Sequence, residues 1–422
     1  MTGSGTARAQ DGWRYYGWWG IVVATLVFIS VTNGLTIGGI QAFDTHLLQA
    51  LQIERGPLKL GDAIQLGTAA IFTLLSGWAA DRFGVRPVMT IGVLLLAGAF
   101  YGLGQVETVG GLYMLRFVMG LGLAGAGLAV CVVIVSRWFI SSRGLALGVM
   151  LAGTSLGSGI LPSVFTQLIE TYEWRDAASM SALAPLALLP IIWFSIREWP
   201  ARIGLAPYGA SSPAGSEQLA GPLLSYRDIV ARRQFWLIGL GAFATFYSIL
   251  GISNNLFLHS RDLGFAPSES AALFVPLFIL GLIGKVVSGV LSDILGRKRV
   301  WILSLLLMLG GALMLMTLQK SLVMFAIMLF GFGWGGNYSL LQAIAADAFG
   351  SRSLGRVMGA ITVLDAGGGA LGPWITSLLY DAYGSYTPGF GLICVLIAVA
   401  IAFAMVLKVR APVVSPAAVS AA

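Results

Sequence analysis

The sequence has few charged residues. Asp, Glu, Lys and Arg make up 10% of its 422 residues, whereas apolar residues make up 57%. A soluble chain has about a quarter charged residues, so this composition excludes an ordinary soluble domain. Apolar runs of about 20 residues recur along the chain, and each is long enough to cross a hydrocarbon core of about 30 Å. The sequence therefore predicts an all-α, polytopic membrane protein.

Cysteine and histidine are also scarce. The two cysteines, Cys131 and Cys394, lie inside apolar runs, which indicates packing roles and argues against a disulfide framework. The two histidines, His46 and His259, lie near the ends of predicted helices, where we expect exposed side chains. These four residues are too widely separated for a metal site, and no phosphate-binding glycine loop for ATP is present. We therefore expect no enzyme activity and no cofactor.

Twelve apolar runs predict twelve transmembrane helices. We number them in chain order, at 17–43, 60–80, 87–106, 111–136, 144–169, 178–197, 234–258, 269–291, 299–318, 321–345, 356–379 and 386–408. The first fifteen residues are polar and lack a cleavable signal pattern, so the first run should remain as a helix. The polar segment rich in Gly, Pro, Ala and Ser after the sixth run indicates a flexible linker. The predicted domains are a tail, a six-helix bundle, a linker, a second six-helix bundle and a tail, at 1–16, 17–197, 198–233, 234–408 and 409–422.

The basic residues predict the orientation. Of the 25 Lys and Arg residues, eighteen fall on the side of the N-terminus and five on the other side, among them Arg55 and Lys59. The positive-inside rule then places both termini in the cytoplasm. It also explains the net charge of +7 by contact with a lipid bilayer rather than with nucleic acid.

The two halves of the chain repeat one turn motif. Four residues after the second predicted helix recur with the same spacing after the eighth, at an offset of 212: Gly77, Asp81, Gly84 and Arg86 match Gly289, Asp293, Gly296 and Lys298. A second match, at an offset of 211, pairs Gly148 with Gly359 and Pro162 with Pro373. Parallel repeats of six helices are typical of transporters, with the substrate site near the membrane midplane between the halves.

These motifs resemble those of the major facilitator superfamily, in which the doubled G-x-x-x-D-x-x-G-x-[RK] turn joins two six-helix bundles. Within it, the chain resembles the monocarboxylate transporters and the oxalate–formate exchangers. The similar stretches are RYYGWWGIVV at helix 1, WFISSRGLALGVMLAGTSLG at helix 5, RIGLAP after helix 6 and RRQFWLI before helix 7. The resemblance implies a bacterial-type inner or plasma membrane transporter. Its motif turns are then gating structures, formed by Asp81, Arg82, Arg86, Asp293, Arg297 and Lys298.

Lys285 lies at a position where the resembling group has a functional residue. It lies four residues before Gly289, where this group has a substrate-binding arginine, and about 12 Å inside its helix. An ionisable residue at that depth indicates a functional site, although a structural cation paired with a carboxylate remains an alternative. The chain departs from the group in having Gly281 where animal monocarboxylate transporters have an aspartate. It also has Asp365 in helix 11, where the oxalate–formate exchangers have a cation.

Lys285 and Asp365 together suggest a mechanism. A buried Lys–Asp pair is neutral and tolerable in low dielectric. A carboxylate substrate that competes for Lys285 would leave Asp365 uncompensated and favour its protonation. One anion and one proton would then bind together, and Asp365 is the predicted proton-coupling residue.

Other polar residues are candidates for the substrate site. Trp334 and Tyr338 share one face of helix 10, as a similar pair does in the oxalate–formate exchangers, and Asn337 lies beside them. Asn33 and Thr154 are candidates for the cavity wall. Arg116 either snorkels to the interface or helps with anions and protons. For Trp334 and Tyr338, the alternative to substrate binding is a role in helix packing.

We therefore expect a secondary active transporter for a small organic anion, with a monocarboxylate and a proton as co-substrates and no obligate protein partner. Two alternatives remain open. One is an anion exchanger or exporter, and the other is a receptor that uses the same scaffold without transport.

Overall fold

The structure is a computed structural model that describes residues 15–140, 142–209, 224–350 and 353–407. These residues form twelve membrane-length helices, which confirms the predicted fold class of two six-helix bundles. They are α1 Gly17–Leu51, α2 Arg55–Phe83, α3 Val85–Leu103, α4 Val109–Trp138, α5 Arg143–Thr171, α6 Trp174–Ser195, α7 Arg233–Asp262, α8 Pro267–Leu295, α9 Arg297–Met316, α10 Lys320–Phe349, α11 Leu354–Tyr383 and α12 Thr387–Val406. The predicted tails lie almost wholly outside the described residues.

Among the described helices, eleven are both long and apolar enough to cross a membrane. The remaining one, α11, has 30 residues but is less apolar, because it contains Asp365 and the glycines at 367–369. Polar and flexible residues inside a membrane helix are costly unless they face protein or a cavity. This helix packs against α2 and α7, on the seam between the halves.

The repeated motif turns have the same backbone conformation. Gly84 ends α2 with a φ of 93°, and Gly296 ends α8 with a φ of 88°. This region of φ is strained for residues with a Cβ, which explains a glycine at both positions. Each turn starts the next helix at once, so the third and ninth helices begin one residue later. We call the membrane side that holds these turns the motif end, and the other side the distal end.

The second helix starts earlier than predicted. It begins at Arg55 rather than near residue 60, so Arg55 and Lys59 belong to its first two turns and not to a loop. Lys59 is fully buried, and the side chain of Arg55 is only 15% exposed. Counting them as loop residues of the side opposite the N-terminus is therefore wrong.

Glycines bring α8 and α10 into close contact. A Cβ on Gly335 would collide with the backbone carbonyl of Gly281, and one on Gly331 would collide with that of Leu277. Small residues at such crossings let membrane helices approach closely. This packing holds α10 against α8 at the level of Lys285.

Segments outside the helices are anchored to the bundles at the motif end. Tyr208 pairs with Phe139 in a short parallel bridge, and the Tyr15 hydroxyl donates to the Ala206 carbonyl at 2.9 Å. The rings of Tyr15, Phe139 and Tyr208 pack together with centroids 5.3–5.8 Å apart. The predicted flexible linker is therefore ordered over residues 200–209, because the sequence RIGLAPY packs on the aromatic start of α1.

The second anchor lies on the other half. A short helix, Tyr226–Ala231, has a capping box formed by Ser225 and Asp228. The backbone N–H of Leu224 donates to the Ser353 hydroxyl at 2.9 Å, and Arg356 donates to the Leu224 carbonyl at 2.8 Å. This end of the linker is fixed to the start of α11.

Candidate functional site

Lys285 lies on the seam between the two halves. It projects from α8, and its Nζ is 3.4 Å from the hydroxyl of Ser155 on α5, in the first half. The same Nζ is 5.1 Å from the centre of the Trp334 ring on α10. A cation over an indole face is attracted by the ring quadrupole. Lys285 and Trp334, two of the predicted substrate-site residues, therefore lie close together, and their role in binding remains a prediction.

Trp334 explains why residue 281 is a glycine. A Cβ on Gly281 would meet the six-membered ring of Trp334 at 3.0 Å, which leaves no room for a longer side chain. Phe278 holds the other side of the indole in an edge-to-face contact, with centroids 6.0 Å apart. The indole therefore takes the space where animal monocarboxylate transporters have an aspartate. The side chain of Tyr338, the other half of the predicted pair, lies outside the described residues.

Asp365 lines a separate cavity of about 90 Å³ in the second half. The cavity wall includes Thr245, Asn337 and Gln342, which are polar, and Phe246. Among the described contacts, no ion pair joins Asp365 to Lys285. In this conformation the two charges do not form the direct pair that the mechanism assumed.

Three of the other candidates are held by hydrogen bonds or burial within one half. Asn337 accepts from the indole N–H of Trp301, and it donates to the Thr245 hydroxyl at 2.5 Å. Thr154 donates to the carbonyl of its own helix at Leu151, 2.8 Å away, and its neighbour Ser155 makes the contact with Lys285. Asn33 is buried in α1, and its amide nitrogen has no hydrogen-bond partner among the described residues.

The sequence reasoning missed a buried charge cluster in the first half. The cluster consists of Asp44 on α1, Lys59 and Asp62 on α2, and Arg116 on α4, all at most 3% exposed. Lys59 forms ion pairs with Asp44 at 2.5 Å and with Asp62 at 3.3 Å, and Arg116 forms an ion pair with Asp62 at 2.9 Å. Arg116 is fully buried, so the alternative that it snorkels to the interface is wrong in this conformation.

One member of the cluster faces the other half. Asn254 on α7 donates to the Asp62 carboxylate at 3.3 Å, and Arg116 also donates to Gln65 at 3.1 Å. A cavity of about 10 Å³ lies beside Asp62, between α1 and α2 on one side and α7 on the other. The buried charge cluster is therefore in contact with the seam.

The distal end of the seam is closed by a network that we call the Arg55 gate. Arg55 on α2 bonds Asp262 on α7 through two N–H groups, both at 2.7 Å, and donates to the Tyr386 hydroxyl at 3.0 Å. Its guanidinium lies 3.8 Å from the centre of the Tyr380 ring. Asp381 accepts from the backbone N–H groups of Arg55 and Gly56, at 3.1 and 2.5 Å. All four partners belong to the second half.

His259 lies under this gate and not in solvent. It is 1% exposed, and its ring packs edge-on against Tyr386 and Phe390 with centroids 5.4 and 5.0 Å apart. The expectation of an exposed His259 is wrong, because α7 extends to Asp262 and places this residue inside the helix packing. His46 is half-buried and stacks on Trp174.

The sequence of this chain matches the model of a known protein family. The model of the Major Facilitator Superfamily matches residues 23–373 and 260–421. This chain belongs to the major facilitator superfamily.

Curated relatives lie within the predicted group. The chain is 27% identical to bovine (Bos taurus) monocarboxylate transporter 13 over 405 residues, covering 91% of this chain and 87% of that protein. It is 27% identical to the oxalate:formate antiporter of Oxalobacter formigenes over 413 residues, covering 92% of each chain. Among solved structures, an inward-facing, unoccupied bacterial homologue of the human lysosomal transporter Spinster matches with a TM-score of 0.72 at 16% identity. That match covers 93% of this chain and 97% of the other. It supports the fold alone.

The superfamily motif residues have equivalent contacts in the two halves. Arg86 donates to the Ile196 carbonyl at the end of α6, at 2.7 Å. Lys298 donates to the carbonyls of Met405 and Leu407 at the end of α12, at 2.7 and 2.9 Å. The matched cations thus tie each motif turn to the last helix of its own bundle.

The charged residues of the two motif turns form different ion pairs in the two halves. Asp81 pairs with Arg137 on α4 at 2.9 Å, whereas in the second half Arg297 pairs with Asp347 on α10. Arg82 is exposed beside the Trp78 ring, 5.5 Å away. Asp293 is exposed and has no ion-pair partner among the described residues. Every described contact of the six predicted gating residues stays within one half, so cross-half gating remains a prediction.

Proposed function

We propose that this superfamily member takes up a small monocarboxylate together with a proton. The observation that carries the proposal is the position of Lys285, whose Nζ contacts Ser155 in one half and lies over Trp334 in the other. Because Lys285 contacts both halves, a movement of one half relative to the other changes its contacts. This is the position that alternating access requires of a substrate site.

The charge distribution supports an orientation with the motif end in the cytoplasm. Eighteen of the 25 basic residues fall on that side, and the positive-inside rule then favours a cell membrane, such as a bacterial inner membrane, with both termini on the cytoplasmic side. With this orientation, the Arg55 gate closes the outer side. The described conformation is then the inward-facing one, since no described motif contact bridges the halves on the inner side.

One cation favours a singly charged substrate. A carboxylate placed about 4 Å from the Lys285 ammonium gains about 4 kcal/mol in an effective dielectric of 20. The indole face beside it offers apolar contact to a short or aromatic acid. Relatives named for monocarboxylates and for oxalate and formate are consistent with carboxylate recognition.

Asp365 is the proposed proton carrier. It lines a polar cavity in the half that also contains Lys285. Lys285 and Asp365 are not paired in this conformation. Coupling between anion and proton therefore depends on the total charge of Lys285, Asp365 and the bound anion rather than on a direct salt bridge. An anion that enters alone adds a buried charge, and a proton on Asp365 offsets it.

Uptake into proteoliposomes tests the proposal. We expect an inward proton gradient to drive uptake of one of the monocarboxylates lactate, pyruvate, formate or benzoate, in preference to the dicarboxylate oxalate. Lys285→Gln should reduce it by about tenfold or more, whereas Lys285→Arg keeps the charge and should retain uptake. Asp365→Asn should abolish the response to the gradient. Uptake that is unaffected by Lys285→Gln would overturn the assignment of the site.

Anion exchange is the second candidate, because the chain is 27% identical to the oxalate:formate antiporter over 92% of each chain. It predicts that anion loaded inside the vesicles accelerates uptake and that the proton gradient does not. A receptor without transport predicts saturable binding and no uptake under either condition.

A further inference from the structure

A cavity at the distal end lies between the two halves, and we call it the distal cavity. Its volume of about 310 Å³ is within the range of pockets that bind small organic ligands. Its walls come from α1 and α5 of the first half and from α7 and α8 of the second half. It reaches α8 at Pro267, eighteen positions before Lys285 and therefore about 27 Å away along that helix. The distal cavity is thus separate from the candidate substrate site.

The side chains that line the distal cavity form two layers. The helices α1, α5 and α7 all run from the motif end to the distal end, and each contributes two lining residues that are four positions apart. Four helical residues rise by about 6 Å, so the two residues of each helix share a face and lie one above the other. The inner layer consists of Ala42, Thr166 and Phe257, and the outer layer consists of His46, Glu170 and Arg261.

The inner layer is apolar except for one hydroxyl group. Ala42 and Phe257 are each 2% exposed, and Thr166 is 3% exposed. The Thr166 hydroxyl has no hydrogen-bond partner among the described residues. In contrast, the hydroxyls of Thr36 and Thr171 each donate to the carbonyl four residues earlier in their own helix. Because a buried polar group without a partner is unfavourable, a ligand with a polar group at this depth would be favoured.

The outer layer contains a cation that can bind an anion. Arg261 donates to the Phe265 carbonyl in its own half, and among the described residues no carboxylate pairs with it. A guanidinium has five N–H donors, so donors remain for a carboxylate. The adjacent Asp262 is bonded to Arg55 instead. Glu170 is exposed, so water and salt weaken its repulsion of an anion in the cavity.

The spacing of the two layers defines the class of ligand. A carboxylate at Arg261 and a polar group at Thr166 would be separated by about 6 Å, which is one helical turn. A benzene ring that carries a carboxylate and a para hydroxyl group separates these two groups by a similar distance, and its faces suit the apolar inner layer. A second carboxylate in place of the hydroxyl would put a charge beside Ala42 and Phe257, where it is poorly solvated.

We propose that the distal cavity is a second binding site, which takes a hydroxylated aromatic monocarboxylate with its carboxylate on Arg261 and its hydroxyl on Thr166. The bound ligand contacts both halves, so it binds best while the distal end is closed and stabilises that conformation. Added from the distal side, it therefore opposes the opening of the Arg55 gate. The binding does not depend on the proposed uptake, whereas an inhibition of transport by the ligand does.

Equilibrium binding of radiolabelled 4-hydroxybenzoate to the purified full-length protein tests the proposal. Lys285→Gln serves as the background, because it removes the cation of the candidate substrate site. We expect one saturable site in this background. Arg261→Gln should weaken binding by about tenfold or more, since it removes a charge-assisted bond. Arg175→Gln is the control and should bind as the background does, because Arg175 lies at the same end and bonds two carbonyls of the first half outside the cavity.

A comparison of two ligands tests the role of Thr166. In the Lys285→Gln background, benzoate should bind about 2- to 13-fold more weakly than 4-hydroxybenzoate, because it lacks the hydroxyl that bonds Thr166. Thr166→Val keeps the shape of the side chain and should make the two affinities equal. Thr171→Val, on the same helix, should preserve the difference. Equal affinities before the Thr166 substitution would overturn the proposal.

Thiol labelling tests the link to conformation. Leu250 lines the cavity of about 10 Å³ beside Asp62. In Lys285→Gln protein, saturating 4-hydroxybenzoate should slow the labelling of Leu250→Cys from the distal side by about 5- to 150-fold, the usual range of a coupling between two sites. Unchanged or faster labelling would overturn the assignment of the ligand to the closed conformation.

These measurements distinguish this proposal from the proposed function. A protein that takes up a monocarboxylate, but whose Lys285→Gln variant binds no 4-hydroxybenzoate, would contradict this proposal alone. A protein that binds 4-hydroxybenzoate through Arg261 and Thr166 but transports no anion would contradict the proposed function alone.

Discussion

Removing the Arg55 side chain should shift the protein toward the conformation that is open at the distal end. Its described side-chain partners, Asp262, Tyr380 and Tyr386, all lie in the second half, so the contacts exist only while the gate is closed. We expect Arg55→Ala to lose them together. Arg261→Ala is the matched control, because Arg261 lies at the same end and bonds the carbonyl of Phe265 in its own half.

The magnitude follows from the contacts. The side chains of Arg55 and Asp262 are 15% and 32% exposed, so solvent weakens their pair toward the surface value of about 0–1 kcal/mol. The hydrogen bond to Tyr386 contributes about 1.5–3 kcal/mol because one partner is charged. The stacking on Tyr380 contributes about 0.5–1 kcal/mol. The total is about 2–5 kcal/mol, which corresponds to a shift of about 30- to 4,000-fold in the conformational equilibrium.

Thiol labelling measures this shift. Leu250 is half-buried and lines the cavity of about 10 Å³ beside Asp62, and the Arg55 gate separates this position from the distal side in the described conformation. A membrane-impermeant maleimide should label Leu250→Cys much faster in the Arg55→Ala background than in the parent. The native Cys131 and Cys394 are buried, so the background should be low. Labelling no faster than in the Arg261→Ala background would refute the role of Arg55 as a gate.

Three further predictions follow from individual contacts. Gly335→Ala should destabilise the protein by about 1–3 kcal/mol, measured as a lower Tm, because its Cβ collides with the α8 backbone, whereas Gly359→Ala has open space and should be neutral. Gly281→Asp should displace the ring of Trp334 and change intrinsic fluorescence and its response to added anion; an unchanged spectrum would contradict the contact. Tyr15→Phe should lower the free energy of unfolding by about 1 kcal/mol by removing the bond to the segment after α6, and an unchanged denaturant midpoint would count against it.

The parts of the fold that sequence reasoning predicted depend on local spacing. The glycines of the two turns, the repeat offset and the apolar runs are visible along the chain. The depth of Lys285 in its helix and the resemblance predicted a position between the halves, but they did not predict its contact with Ser155. What the sequence did not show is the absence of the direct Lys285–Asp365 pair, since that depends on how the helices are rotated in one conformation.

The buried charge cluster was missed for two reasons. Asp44, Lys59 and Arg116 lie on three helices, so their contacts arise only from the packing. Lys59 also lies near a helix end, where a charge is readily assigned to a loop. One signal was present: Lys59 and Asp62 are one helical turn apart, and Gln65 follows one turn later on the same face. A polar stripe of that kind in an otherwise apolar helix indicates an interior contact.

The anchored segments at the motif end set the length of the connection between the two bundles. Residues up to 209 are fixed to the first half and those from 224 to the second, which leaves fourteen residues between the two anchors. A chain of that length can span at most about 50 Å, and a rocking motion of packed bundles needs far less. An epitope tag or fluorescent domain inserted between the two anchors should therefore leave transport intact. The same insertion between residues 200 and 209 would pull the aromatic start of α1 out of place.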